Sequence, residues 1–453
     1  MTTELWARLQ FAFTVSFHYI YPPLSIGLGV ILVIMEGLYL KTGNKMYEVM
    51  TKFWVKIFAL TFAMGVATGI VMEFEFGTNW AVYSRYVGDI FGSALAAEGI
   101  FAFFLESGFL AILLFGWNRV SPKMHFFATM MVSLGSMLSA VWIVVANSWQ
   151  QTPAGYHIVV NDGVARAEIT DFWAMVFNPS SVDRLTHTLG GAFLAGAFLV
   201  ISVSAYYLLK KRHDDIAKSG MKIGLGFAVF AAFFQLFTGH SSASGVAENQ
   251  PAKLAAFEAH YDSSAAADLY AFGWVDEENK TVHGLAIPGM LSFLIHGDPK
   301  APVRGLDAFP KDERPPVQFT FQTYHLMVAI GFTLIGLTLI SLFLLWRGKL
   351  FTTTLWLKIL VVSVLLPQIA NQIGWYTAEV GRQPWIVYGL LKTSDALSKT
   401  VTSEHIIFSL VLFTLIYAGL FVVFLYLLDK KIKHGPDEVA MEFDVDGKQR
   451  MTV

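Results

Sequence analysis

Between Lys358 and Glu379 twenty consecutive residues carry no charge. At 1.5 Å per residue, a run of roughly 20 is what a helix needs to cross a hydrocarbon core of about 30 Å. Similar runs near 10–35, 54–76, 92–117, 124–149, 185–209, 219–240, 319–346, 355–376 and 404–428 predict nine spanning helices. A bilayer offers no water to satisfy backbone groups, so helices are the form these runs take. The chain is predicted to be an all-α, polytopic, multi-pass membrane protein. A content of 55% hydrophobic and 15% charged residues, with a mean hydropathy of +0.53, agrees. The first run follows "MTTELWARLQ", which has no cationic leader and no small-residue cleavage site, and is read as a retained span.

Charge placement adds orientation and excludes partners. The net charge is −2 and no long basic run exists, which argues against nucleic acid. With no cysteine, disulfides, Cys-bound zinc and iron–sulfur clusters are excluded, leaving His, Met and carboxylates as strong metal ligands. Lys and Arg collect after the odd spans, at Lys41, Lys45 and Lys52, at Arg119 and Lys123, at Lys210, Lys211 and Arg212, at Arg347 and Lys349, and at Lys430, Lys431 and Lys433. Cytoplasmic loops retain such residues, so the N-terminus is predicted outside and the C-terminus inside. Two outside segments, about 150–184 and 241–318, are too long to be simple connectors. The chain divides accordingly into helices 1–6 (1–240), an outer loop (241–318) and helices 7–9 with a tail (319–453). No internal repeat argues for an inverted-repeat transporter.

Polar groups inside the spans each need a partner or a role, because a charge at mid-membrane costs about 2.5–3.5 kcal/mol. His18 in "TVSFHYIYPP" and His187 in "DRLTHTLGG" fit either a hydrogen-bonded histidine or a metal or haem ligand. The glycines after His187 would let something flat approach the helix. Met327 alone reads as packing. Glu379 is followed at once by Arg382, Pro384 and Trp385. Together these four, all of types that ligate haem iron, fall in one layer near the outer face. In the third span, Glu98 and Glu106 lie eight residues apart, about 12 Å along the axis and turned by about 80°, so they need not share one face. With Ser107 and Ser139 as helpers, they are candidates for passing protons; the alternative is a pair of neutral, hydrogen-bonded carboxyls.

The segments "RLQFAFTVSFHYIYPPLSIG", "GDIFGSALAAEGIFAFFLES", "KLAAFEA" and "GWYTAEVGRQPW" together resemble subunit I of cytochrome bd-type quinol oxidases over nearly the whole chain, in the form with a short quinol loop. The resemblance implies a quinol:oxygen oxidoreductase of a bacterial or archaeal cytoplasmic membrane that contributes to proton-motive force. His187 and Met327 would bind a low-spin b haem. His18 and Glu379 would ligate a high-spin b haem and a haem d, or a third b haem in its place, with the assignment between them open. Lys253 and Glu258 match the quinol-binding motif, Glu98, Glu106 and Ser139 the proton path, and Trp375 the aromatic residue among the haems, while Arg382 would offset Glu379 or bind a propionate. Implied partners are a subunit II, a small single-span accessory subunit, membrane quinol and O2.

Without the resemblance, Lys253 and Glu258, about 140° apart on a helix, read as a solvated loop pair. His325 stands where many members carry an arginine, and it points about 200° away from Met327. Two rival classes are a cofactor-free proton channel and a membrane b-type cytochrome that passes quinol electrons to another partner.

Overall fold

In the computed structural model, which describes residues 2–437, 440–443 and 449–452, every predicted run falls on a long helix, the third running two residues past the end of its helix at Phe115. We label the spans α1 (Thr3–Thr42), α2 (Lys45–Thr78), α3 (Gly88–Phe115), α4 (Pro122–Gln151), α5 (Ser181–Lys210), α6 (Asp214–Asn249), α7 (Val317–Trp346), α8 (Thr354–Val380) and α9 (Ser403–His434). The helices outrun the uncharged stretches because they end at caps, not at the first charge. Asn44 Oδ1 accepts from Met46 N–H at 3.0 Å to start α2. Ser121 Oγ accepts from Met124 N–H at 3.3 Å ahead of Pro122 to start α4.

Three spans are interrupted, two of them where ligand-type or carboxylate residues sit. α1 breaks at Tyr19–Ile20, directly after His18 and before Pro22 and Pro23. α3 contains a π-helical turn, Gly99–Phe103, between Glu98 and Glu106. α8 is interrupted between Val362 and Leu365, where Pro367 cannot accommodate the carbonyl four residues before it.

α5 is the most enclosed helix and forms the centre of the main core with α1, α2, α4, α6 and α8. It crosses α1 at a glycine pair: a Cβ on Gly196 would lie 2.6 Å from the Gly27 Cα, so only glycine permits this approach. The outward faces of α3 and α9 stay apolar and exposed, with Phe101, Phe104, Phe408, Leu415 and Val422 among them. These faces suit lipid or another subunit.

The connections segregate. At one end they are short and basic, and Arg212 donates to the Lys433 carbonyl at 2.9 Å. At the other lie the long segments 152–180, 250–316 and 381–402. Because α6 continues to Asn249, the second long segment begins later than the sequence suggests. It opens with a short helix, Pro251–Phe257, and carries the hairpin Leu269–Asp276/Thr281–Ile287. That hairpin leans on the start of α7, where Gln322 donates to the Gly273 carbonyl at 2.8 Å.

Candidate functional site

Glu379 ends α8 inside a dense polar cluster. Its carboxylate accepts from Arg382, three residues on, from Asn147 Nδ2 at 3.0 Å and from Gln151 Nε2 at 3.3 Å. Arg184 of α5 donates to the other side of Asn147, and Lys253 donates to Gln151 Oε1 at 2.5 Å. Two amides of α4 thus join the loop helix, α5 and α8. Arg382 and Lys253 are only 3% and 2% exposed, which rules out a solvated role. Three cations, Arg184, Arg382 and Lys253, stand within electrostatic reach of the single carboxylate of Glu379. Burial, then the like charges of Arg184 and Arg382, hold the Lys253 ammonium well below its usual range. Arg184 Nε and Arg382 Nη1 are buried without a partner. Unspent guanidinium donors amid excess positive charge are what the propionates of a haem would satisfy.

The other ligand-type residues lie at the same depth, with α8 serving as a ruler. Gln372 donates to the Ser16 carbonyl at 2.8 Å and Tyr376 bonds Ser16 Oγ at 2.5 Å, which fixes α1 just before His18. A Cβ on Gly374 would lie 2.7 Å from the Met327 sulfur. Asn371 packs on Gly191, while Arg184 reaches the Glu379 cluster, so His187 falls between those levels. All four residues therefore sit opposite α8 positions 371–379, eight residues or about 12 Å of axis. Trp375 lies in this layer, 6.3 Å from Phe11 of α1 between ring centres.

The ring nitrogens suit ligation. Thr68 spends its hydroxyl hydrogen on the Met64 carbonyl at 2.8 Å and so accepts from His18 Nδ1 at 2.9 Å, leaving Nε2 with its lone pair. Gln235 of α6 sets His187, its amide lying 3.1 Å from Nδ1. A Cβ on Gly190 would meet Gln235 of α6 and one on Gly191 would meet Asn371 of α8, so both neighbouring side chains approach the α5 backbone closely here. Among the described residues no three His, Cys, Asp or Glu converge as a chelating set. Candidate ligands spread singly over four elements fit a metal that arrives inside a macrocycle and takes one or two protein ligands.

Glu98 and Glu106 both turn towards α4, contrary to the angle expected from a regular helix. Ser139 donates to Glu98 at 2.7 Å, and Ser136 donates to Glu106. The π turn between them absorbs one residue, so eight residues rotate the helix as about seven would, an offset of about −20° and not 80°. Gly135 lets Glu106 press against α4, since a Cβ there would lie 2.8 Å from the Glu106 Cβ. Ser107 donates to its own helix, at the Phe103 carbonyl.

Glu258 is 2% exposed and one of its oxygens has no hydrogen-bond partner. Burial pushes its carboxyl up to about 8. It lines a cleft of about 480 Å³ with His260, Tyr261 and Tyr270, a volume suited to a small organic ligand. His325 faces this cleft's wall, with Nε2 2.7 Å from the Tyr270 carbonyl and 3.9 Å from Glu258, on the side of α7 away from Met327. Sequence reasoning missed Asn147, Gln151, Arg184 and Ser136. The polar run "ANSWQQ" at the end of an apolar span was the available signal for Asn147 and Gln151.

Comparison with known proteins identifies the family. Residues 6–436 match the family model for cytochrome bd terminal oxidase subunit I. The chain is 38% identical to the Bacillus subtilis (strain 168) cytochrome bd ubiquinol oxidase subunit 1 over 448 residues, covering 96% of this chain and 95% of that one. It is 35% identical to the Escherichia coli (strain K12) cytochrome bd-II ubiquinol oxidase subunit 1, covering 96% and 97%. The bd oxidase structure from Geobacillus thermodenitrificans superposes with a TM-score of 0.88 at 31% identity, covering 96% of this chain and 99% of that one. From the nine long apolar helices among its described residues to matches over about 95% of its length, the chain belongs to the cytochrome bd terminal oxidase subunit I family, multi-pass membrane oxidoreductases of bacteria that carry haem and pair with a subunit II.

Proposed function

We propose that this subunit oxidises membrane quinol at the end of the bundle bearing the long connections, which faces outside, and that O2 is reduced to water at a haem site with protons drawn from the cytoplasm. The observation that carries the reading is the buried network from Lys253 of the loop helix through Gln151 to Glu379 and Arg382. It joins the candidate quinol segment directly to a candidate iron ligand.

In this reading His187 and Met327 hold a low-spin b haem, and His18 and Glu379 ligate the high-spin b haem and haem d, or a third b haem. Bound there, these groups would supply one-electron transfer and the oxygen-reducing centre. Arg382, Arg184 and Lys253 anchor carboxylates, and Trp375 packs between the ligand-bearing helices. Quinol sits against Glu258, whose neutral carboxyl donates a hydrogen bond and whose ionised form takes a proton towards the outer side. Glu106 and Glu98, each seated on an α4 serine, pass protons from the opposite side. Proton release at one face and uptake from the other makes turnover electrogenic. Residues 1–240, 241–318 and 319–453 divide these tasks, and the outward apolar faces of α3 and α9 receive subunit II and a single-span accessory subunit.

The test is the reduced-minus-oxidised absorbance of the purified two-subunit enzyme, with oxygen uptake on added quinol. Expected are b-haem bands, a red-shifted chlorin band or a third b signal, and uptake that consumes quinol. In Met327→Leu the low-spin b signal is lost and quinol no longer reduces the remaining haem. A colourless protein, or a Met327→Leu enzyme with unchanged spectrum and turnover, overturns the reading.

A further inference from the structure

A second buried polar cluster lies at the basic end of the bundle, far from the ligand layer. Glu36 of α1 and His125 of α4 are 1% and 2% exposed, with Glu36 Oε1 2.6 Å from His125 Nδ1. The other ring nitrogen lies 3.2 Å from the Leu113 carbonyl. A carbonyl only accepts, so Nε2 carries a hydrogen, and the pair shares one further proton between Nδ1 and Oε1. Thr129, one turn along α4, donates to Glu36 Oε2 at 2.5 Å. On the α3 side Trp117 packs against His125, the rings tilted by 34° at 3.8 Å between centres. Lys52 of α2 covers that indole at 5.1 Å and is itself paired with Glu48 at 2.7 Å.

Enclosing such a pair costs more than an apolar pair of the same volume, so stability alone does not account for it. Ionisable residues within a span mark proton or ion routes by default. Positions 125, 129, 133 and 136 of α4 are His, Thr, Ser and Ser. Their spacing of four, four and three keeps them within an arc of about 80°. From Thr129 to Ser133 to Ser136 the axial steps are about 6 Å and about 4.5 Å. Steps of that size are within the reach of a single bridging water. Ser136 is the residue that holds Glu106.

We propose that Glu36, His125 and Thr129 form the uptake end of the proton route, passing protons from the basic end of the bundle along the Ser133–Ser136 face of α4 to Glu106. Releasing the shared proton leaves a neutral imidazole and a carboxylate. One proton from the adjacent aqueous phase restores the pair, and no other bond changes. This rests on the reading of Glu106 as part of the proton path.

The experiment uses the purified two-subunit enzyme in liposomes, comparing Glu36→Gln, Glu36→Asp, Thr129→Val, Thr129→Ser and Glu106→Gln. Expected in Glu36→Gln are unchanged haem spectra and unchanged anaerobic haem reduction by quinol, with oxygen uptake lower by about tenfold or more. Glu36→Asp recovers part of the rate with a shifted pH profile. Thr129→Val slows uptake and Thr129→Ser restores it, a comparison that decides the matter if Glu36→Gln does not fold. Normal turnover in Glu36→Gln or Thr129→Val, while Glu106→Gln is slow, overturns the relay and leaves the Glu106 path standing. Normal turnover in Glu106→Gln as well removes the path itself. Loss of haem in step with turnover across the Glu36 and Thr129 variants assigns the cluster a structural role and overturns the relay.

Discussion

At the scale of single residues, burial decides what each polar group does. Glu258 and Lys253 read from sequence as a solvated loop pair, yet both are enclosed, and they face different partners. Glu258 gives a pH prediction. Its carboxyl is raised by burial from 4.5 to about 8, so between those values the folded form keeps a proton that the unfolded chain has lost. Its contribution to stability is full below the lower value, falls as pH rises through the window and levels off above about 8. Glu258→Gln removes this dependence, so its melting temperature gains on the parent's as pH rises from about 5 to about 8. A constant gap across that range would show that Glu258 is not held neutral. Met327 and His325 carry the opposite lesson. Their 200° separation was legible from helical pitch alone, and the side chains do point apart.

At the scale of elements, the irregular turns matter more than the regular ones. A uniform α-helix over α3 would turn Glu106 off the face that Glu98 presents. The π turn at Gly99–Phe103 brings both carboxyls onto α4. Inserting one alanine after Phe101, which is exposed, adds about 100° of rotation and swings Glu106 away from Ser136. Oxygen uptake on quinol is expected to fall by about tenfold or more with haem spectra unchanged. Equal uptake would mean that the shared face is dispensable. Periodicity could not reveal this turn, because nothing in "EGIFAFFLES" distinguishes a π turn from an α turn. Span ends were missed for a related reason. Glu36 falls just past the first run and His125 at the start of the fourth, and helices that extend beyond those runs carry both into the bundle.

At the scale of the whole molecule, the long connections gather at one end and the short basic ones at the other. Because the chain has no cysteine, orientation can be tested with single introduced thiols. Lys280→Cys, at the tip of the loop hairpin, is expected to react with a membrane-impermeant maleimide on intact cells, and Lys349→Cys only after lysis. The reverse pattern would invert the topology and with it the direction of proton movement. The sequence by itself determined the membrane class, the nine spans and the family, because hydrophobic length and the "GRQPW" segment are local signals. It also put His18, His187, Met327 and Glu379 at one depth, since depth is set by distance along a span. Only tertiary structure decided which polar groups meet: Asn147 and Gln151 bridging Arg184, Glu379 and Lys253, Ser136 beneath Glu106, and Glu36 against His125. Those encounters depend on how helices rotate and cross at small residues such as Gly27, Gly135 and Gly196, and no one-dimensional pattern contains that rotation.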